Sequence, residues 1–164
     1  MSRAFVNEDN AAAQTDQPVE RQVSGQPNYV TPAGLSLLQD KVAELQVLHG
    51  EQSALGDQAD KQLLANLERD LRYFHQRLQS AQVVPPATST TKVQIGSRVT
   101  YADEQGTEHC VQLVGEDQAA AAKGLINWGS PLGRALLGAH PGDEVLWQRP
   151  AGDQRIEVIR IEPA

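Results

Sequence analysis

The chain has 164 residues, a formal charge of −7 and one cysteine. That length holds one ordinary domain or two small ones, and the acidic balance argues against a large basic nucleic-acid face. The lone Cys110 rules out an internal disulfide framework, and no apolar run approaches the roughly 20 residues of a membrane helix. The opening MSRAFVNEDNAAAQ lacks the apolar core of a signal peptide. A soluble, cytoplasmic protein is the expectation.

Residues 1–28 are rich in Gln, Asn, Glu, Asp, Pro and Ala, with few large apolar side chains. Such a segment buries too little surface to offset its ordering entropy, so a flexible tail is predicted. A helical hairpin is predicted over 29–84. Thr31 suits an N-cap and Pro32 a first helical position. Leu35, Leu38, Val42 and Leu45 then recur at alternating steps of three and four, the spacing of a heptad seam. Leu64, Leu67, Leu71, Phe74, Leu78 and Ala81 make a second seam, stopped by Pro85 and Pro86. The two seams match in antiparallel register. Leu35 faces Leu78, Leu38 faces Phe74, Val42 faces Leu71, Leu45 faces Leu67 and Leu48 faces Leu64. This register puts the turn at Gly56-Asp57, where glycine tolerates a positive φ. Each arm is about 24 residues, or roughly 36 Å at 1.5 Å per residue.

PPATSTTK, residues 85–92, reads as a linker. Over 93–164 the period changes. QIGSRVTYA, EHCVQLVG, GLINW, EVLWQ and RIEVIRIE read as strands, with turns at DEQG, HPGDE and PAGD. SPLGRALLG reads as a short helix capped by Ser130 and stopped at Gly138. The fold class is α+β: an antiparallel helical hairpin, then a small curved antiparallel sheet with one short helix.

Sites of known chemistry are sparse. There is no phosphate-binding loop, no G-x-G-x-x-G and no H-E-x-x-H, and the four histidines lack metal-ligand spacing. His109 and Cys110 are adjacent in a strand and point to opposite faces, which argues against a dyad. Cys110 is expected as a small core residue. Trp128 and Trp147 are expected in or near the core. The distinctive stretch is ALGDQADKQ at the hairpin turn. Continuing the second seam backwards from Leu64 leads to Asp60 and Asp57. One reading is a solvated turn with acidic residues at a helix start. The other is a carboxylate tip, with two acids three apart on one helical face sharing a divalent cation with ligands from a partner. Lys61, Arg69, Arg72 and Arg77 on the second arm read as a solvated face or as a weak phosphate-contacting stripe, for which Arg69 and Arg72 are the candidates.

YVTPAGLSLLQDKVAEL, LERDLRYFHQRLQSAQVV, LINWGSPLGRALLGAHPGDEV and RIEVIRIE together resemble the GreA/GreB family of bacterial transcript-cleavage factors. The resemblance covers about residues 28–162 and implies an FKBP-like C-terminal domain. It further implies docking on RNA polymerase at the mouth of its secondary channel, with Gly129, Ser130, Pro131 and Arg134 in the contact. Position 129 is often Asn or Asp in the family. The tip acids Asp57 and Asp60 would be lent to the polymerase's Mg²⁺, promoting cleavage of backtracked RNA, so contact with nascent RNA is indirect. No cofactor is expected in the free protein, and a monomer is expected because the hairpin closes on itself. Several features depart from the family pattern. Asp60 stands where Glu is usual, Lys61 and Gln62 replace Asn-Ala, Leu64 replaces an aromatic, and each arm is about one heptad, or roughly 10 Å, short. A channel-binding regulator that does not support cleavage is the alternative. A prolyl isomerase, suggested by the FKBP-like domain, is a remote one.

Overall fold

The computed structural model describes residues 18–164. The tail expected over 1–28 falls outside the described residues as far as residue 17. The described chain divides into two compact units that alternate along the sequence: one contains 18–25 and 38–79, the other 26–37 and 80–164. The expected boundaries at 29 and 85 are therefore shifted. The first helical turns and the chain segment before them belong to the C-terminal unit.

In that unit, β1 (Tyr29–Val30) and β2 (Gln82–Val83) form a short parallel ladder that joins the entry and exit of the hairpin. Neither strand was expected from the sequence, because two residues are too few to show a period. Helix α1 (Pro32–Ser53) follows, with the Gly34 amide donating to Thr31 Oγ1 at 3.0 Å as the N-cap. Helix α2 (Lys61–Ser80) forms the returning arm. Arms of 22 and 20 residues replace the expected 24.

The buried residues of the hairpin include Leu38, Val42, Leu45, Leu67 and Phe74, as both seams require. Leu48 is a correction: it is exposed. The alternation of four and three from Leu45 leads to His49 and Gln52, and these are the half-buried positions. The seam thus turns polar towards the tip, and His49 Nε2 meets Glu68 Oε1 at 3.2 Å. Arg77 is a second correction. It is 2% exposed and so lies on no solvent-facing stripe.

The rest of the C-terminal unit is a five-stranded sheet made of β3 (Arg98–Ala102), β4 (Glu108–Val114), β5 (Leu125–Asn127), β6 (Glu144–Trp147) and β7 (Gln154–Glu162). Its order is β5-β4-β3-β7-β6. Helix α3 (Pro131–Leu136) packs on it, and Leu132 and Leu136 join Val99, Leu113, Ile156 and Val158 in the core. The expected all-antiparallel sheet needs one correction, since β5 pairs parallel to β4. Glu116–Gln118 and Ala121–Lys123 form two 3-10 turns that carry the chain back to Gln112, opposite which β5 begins, as a parallel connection requires. A bulge between Thr100 and Tyr101 opposite β7 shifts the register by one residue. It explains why the buried positions of β7 run Ile156, Val158, then Ile161. The segment read as a linker is fixed to the sheet's unit: Ala87 is buried, and its carbonyl accepts from the Ala164 amide at 3.0 Å.

Candidate functional site

The tip is built by a glycine and a cap. Gly56 takes φ +55°, with nothing near its missing Cβ, so the turn selects glycine for backbone reasons alone. Gly56–Gln58 is a single 3-10 turn, and Ala59 then becomes extended. Asp60 is the N-cap of α2, its Oδ1 accepting from the Leu63 amide at 3.0 Å. The two acids therefore do not share one continuous helical face, which corrects the sequence expectation. Asp57 lies in the 3-10 turn and Asp60 at a helix cap, and both are exposed. The Oδ1 of Asp60 thus serves the helix start. The Asp60 amide in turn donates to Gln52 Oε1 at 3.0 Å. Sequence reading missed Gln52, although its place in the seam was the available signal.

Among the described residues no group of three or more His, Cys, Asp or Glu is placed to hold a metal ion. Two carboxylates with hard oxygen donors suit Mg²⁺ only as part of a set completed elsewhere.

The candidate basic stripe is largely neutralised. Arg69 Nε donates to Asp70 Oδ1 at 3.1 Å. Arg72 Nε donates to Glu20 Oε1 at 2.9 Å, and Arg72 Nη2 reaches the same oxygen. This contact holds the Glu20 carboxyl below its ordinary range. The neighbouring Arg21 guanidinium lies 3.9 Å from the centre of the Tyr73 ring and 3.5 Å from Asp70. Residues 20 and 21 are thus fastened along α2, a correction to the flexible tail over the described part of 1–28.

The segment from Gly129 to Arg134 lies on the C-terminal unit and runs from just after β5 into α3. Ser130 caps α3 by accepting from the Gly133 amide at 3.1 Å, and its own hydroxyl donates to the Asn127 carbonyl at 2.7 Å. Gly133 is required by space. A Cβ there would stand 2.2 Å from the Asn127 carbonyl oxygen, a backbone atom that cannot step aside. These contacts leave Pro131 and Arg134 exposed at the rim. Trp128 is half-buried and packs its ring 5.3 Å from that of Tyr29. Beside the segment, between sheet and helix, an open apolar cavity of about 580 Å³ is lined by Tyr101, Cys110, Ile126, Pro131, Leu132 and Trp147. Cys110 is exposed on this wall and is not the core residue expected. At its edge His109 Nε2 lies 2.9 Å from Asp103 Oδ2. That bond, aided by the Thr107 and Gln105 amides, holds the Asp103 carboxyl below its ordinary value.

Two paired helices carry exposed carboxylates at their joining turn, and a small α+β unit carries the capped segment Gly129 to Arg134. Comparison with known proteins specifies the class. Residues 88–163 match the family model described as transcription elongation factor, GreA/GreB, C-term. Transcription elongation factor GreB of Neisseria meningitidis serogroup B is 34% identical over 152 residues, covering 82% of this chain and 93% of the relative. GreA of Polaromonas naphthalenivorans is 39% identical over 98 residues, covering 58% of this chain and 62% of that one. Among solved structures, the GreA factor homolog Gfh1 of Thermus thermophilus aligns with TM-score 0.41 at 22% identity, covering 84% of this chain and 99% of that one. A GreA/GreB factor from Nitrosomonas europaea aligns with TM-score 0.40 at 24% identity, covering 83% and 98%. The chain belongs to the GreA/GreB family of transcription elongation factors, and the near-full-length GreB match carries that assignment.

Proposed function

We propose that this chain is a cytoplasmic, monomeric accessory factor of RNA polymerase that binds at the secondary channel, with its C-terminal unit docked at the rim and its hairpin tip inserted. In this reading Ser130, Pro131 and Arg134 contact the polymerase. Asp57 and the Oδ2 of Asp60 are lent to the polymerase active site, which then hydrolyses its own backtracked RNA. A jointly held Mg²⁺ would supply charge neutralisation at the scissile phosphate. The chain's own contribution is positional: a cap and a backbone bond to Gln52 fix where the Asp60 carboxylate stands. The observation that carries the proposal is the exposure of both carboxylates at the closed end of a hairpin in a GreA/GreB family member.

A second reading has its own observation. With Asp60 Oδ1 engaged by the helix and Asp57 in a separate turn, the pair is not prearranged as a chelate. A channel-occupying regulator that leaves cleavage unstimulated would need no such arrangement. RNA cleavage in backtracked elongation complexes with Mg²⁺ separates the two. Stimulation by the wild type and none by Asp57→Ala supports cleavage. Polymerase binding with no stimulation by the wild type supports the regulator and overturns the cleavage assignment.

A further inference from the structure

Strand β6 is one edge of the five-stranded sheet, with β7 on its only paired side. The Val158 amide donates to the Asp143 carbonyl at 2.9 Å, and from there the register pairs Glu144 with Glu157, Val145 with Ile156 and Leu146 with Arg155. Bonded and non-bonded pairs alternate in an antiparallel ladder, so Val145 turns its amide and carbonyl towards β7. Glu144 and Leu146 turn theirs away from it. Arg155, opposite Leu146, agrees with this phase, because its amide donates to Glu104 Oε1 at 3.1 Å. Outside the ladder, no described residue takes up the Leu146 amide or carbonyl. Edge strands are commonly blunted by lysine, by proline or by a covering element. Glu144–Trp147 contains neither lysine nor proline, and Leu146 is 48% exposed.

A wall stands beside this edge. Pro131, Arg134 and Ala135, spaced to share one face of α3, line a groove of about 210 Å³ together with Leu146 and Gln148. Main-chain donors and acceptors along one side and a helix along the other suit an extended segment. Arg134 is exposed, and no described carboxylate pairs with it. We infer that this groove takes an extended, carboxylate-bearing segment of RNA polymerase, which pairs with the outward groups of Glu144 and Leu146 as a sixth strand. The inference rests on the docking reading proposed above and adds to it a binding mode and the residue Leu146. Main-chain bonds to the edge supply sequence-independent affinity. The Arg134 guanidinium selects an acid at the position beside it, through a charge-assisted bond. A lysine or arginine in that place would face an unpaired like charge, so the groove also rejects basic segments.

The test measures amide hydrogen exchange in the full-length chain, alone and bound to bacterial core RNA polymerase. In the free chain the outward amides of Glu144 and Leu146 are expected to exchange quickly and the inward amide of Val145 slowly. Binding is expected to slow the outward pair by about tenfold or more and to leave Val145 as it was. Leu146→Pro removes one outward amide without touching a bond to β7, a change that edge strands accept. It is expected to weaken binding about five- to tenfold, the worth of one main-chain bond. Thermal melts check its fold, and if it does not fold the exchange pattern decides alone. Arg134→Ala serves as the reference for docking. If Arg134→Ala weakens binding while the Leu146 amide exchanges in the complex at its free rate, the inference is overturned and the docking reading stands. A folded Leu146→Pro that binds like wild type overturns it as well. If Arg134→Ala binds as tightly as wild type and exchange across 129–148 is the same with and without polymerase, the docking reading itself fails.

Discussion

The Asp60 amide donates to Gln52 Oε1 at 3.0 Å, so the last turn of one arm holds the first residue of the cap of the other. The bond fixes the backbone that carries a tip carboxylate. Its partner is a polar residue in a seam that is otherwise apolar further down. Gln52→Ala should leave both aspartates in place yet loosen their position. The expected outcome is reduced cleavage stimulation, if the tip stimulates cleavage, with polymerase affinity unchanged. Hydrogen exchange should show faster exchange at the Asp60 amide.

Asp60 has two separable duties, and substitutions can divide them. Asp60→Ala removes both the cap and the charge and should cost about 1 kcal/mol of stability. Asp60→Asn keeps an oxygen for the Leu63 amide and should hold stability close to wild type. Urea melts check the first duty. Cleavage assays on the Asn variant read the second without a folding defect: lost stimulation would assign the charge itself, and retained stimulation would confine Asp60 to capping.

Gly50 lies inside α1 with nothing within 4 Å of its missing Cβ. Alanine there should therefore stabilise the hairpin by about 0.5–1 kcal/mol. A lower melting temperature for Gly50→Ala would contradict the open surroundings described.

Arg21 joins a ring contact to Tyr73 with an ion pair to Asp70. Arg21→Ala should cost about 0.5–1 kcal/mol, typical of an exposed cation–π contact. Tyr73 should also become more accessible to a fluorescence quencher. Arg21→Lys should fall between the two, because a point charge keeps the ion pair and loses the planar stacking.

The Asp103–His109 contact predicts a direction with pH. The folded state holds the Asp103 carboxyl below its unfolded value. Its contribution is therefore complete above the unfolded pKa and is lost as pH falls through the folded one. Wild type should exceed Asp103→Asn in stability above about pH 4, and the gap should close below it. Melts from pH 7 down to pH 3 would show this, and a gap that widened on acidification would contradict the assignment.

The hairpin, its turn at Gly56 and the Ser130 cap were readable from the sequence because each depends on local spacing or local chemistry. Leu48 was misplaced because any leucine near a seam invites inclusion, whereas the alternation of three and four had already passed to His49. Cys110 looked like core because small thiols usually are, and only the cavity beside β4 decides its exposure. The parallel pairing of β5 depends on a crossover through two 3-10 turns that have no period to detect. At the site, the acids were found but not their separation, because the extended Ala59 between them leaves no sequence mark.

The β1–β2 ladder has a consequence for how such an arm changes over time. Tyr29 pairs with Gln82 and Val30 with Val83, so the two ends of the hairpin are held at adjacent strands. Neighbouring strands are spaced by about 4.8 Å whatever lies beyond them. The hairpin is therefore a closed detour with a fixed gate, and trimming both arms by equal whole heptads leaves the gate and the seam in register. Losing residues from one arm alone would slide leucines against polar faces. Arm length is thus a property this architecture can set in paired steps of roughly 10 Å, with the C-terminal unit left as it was.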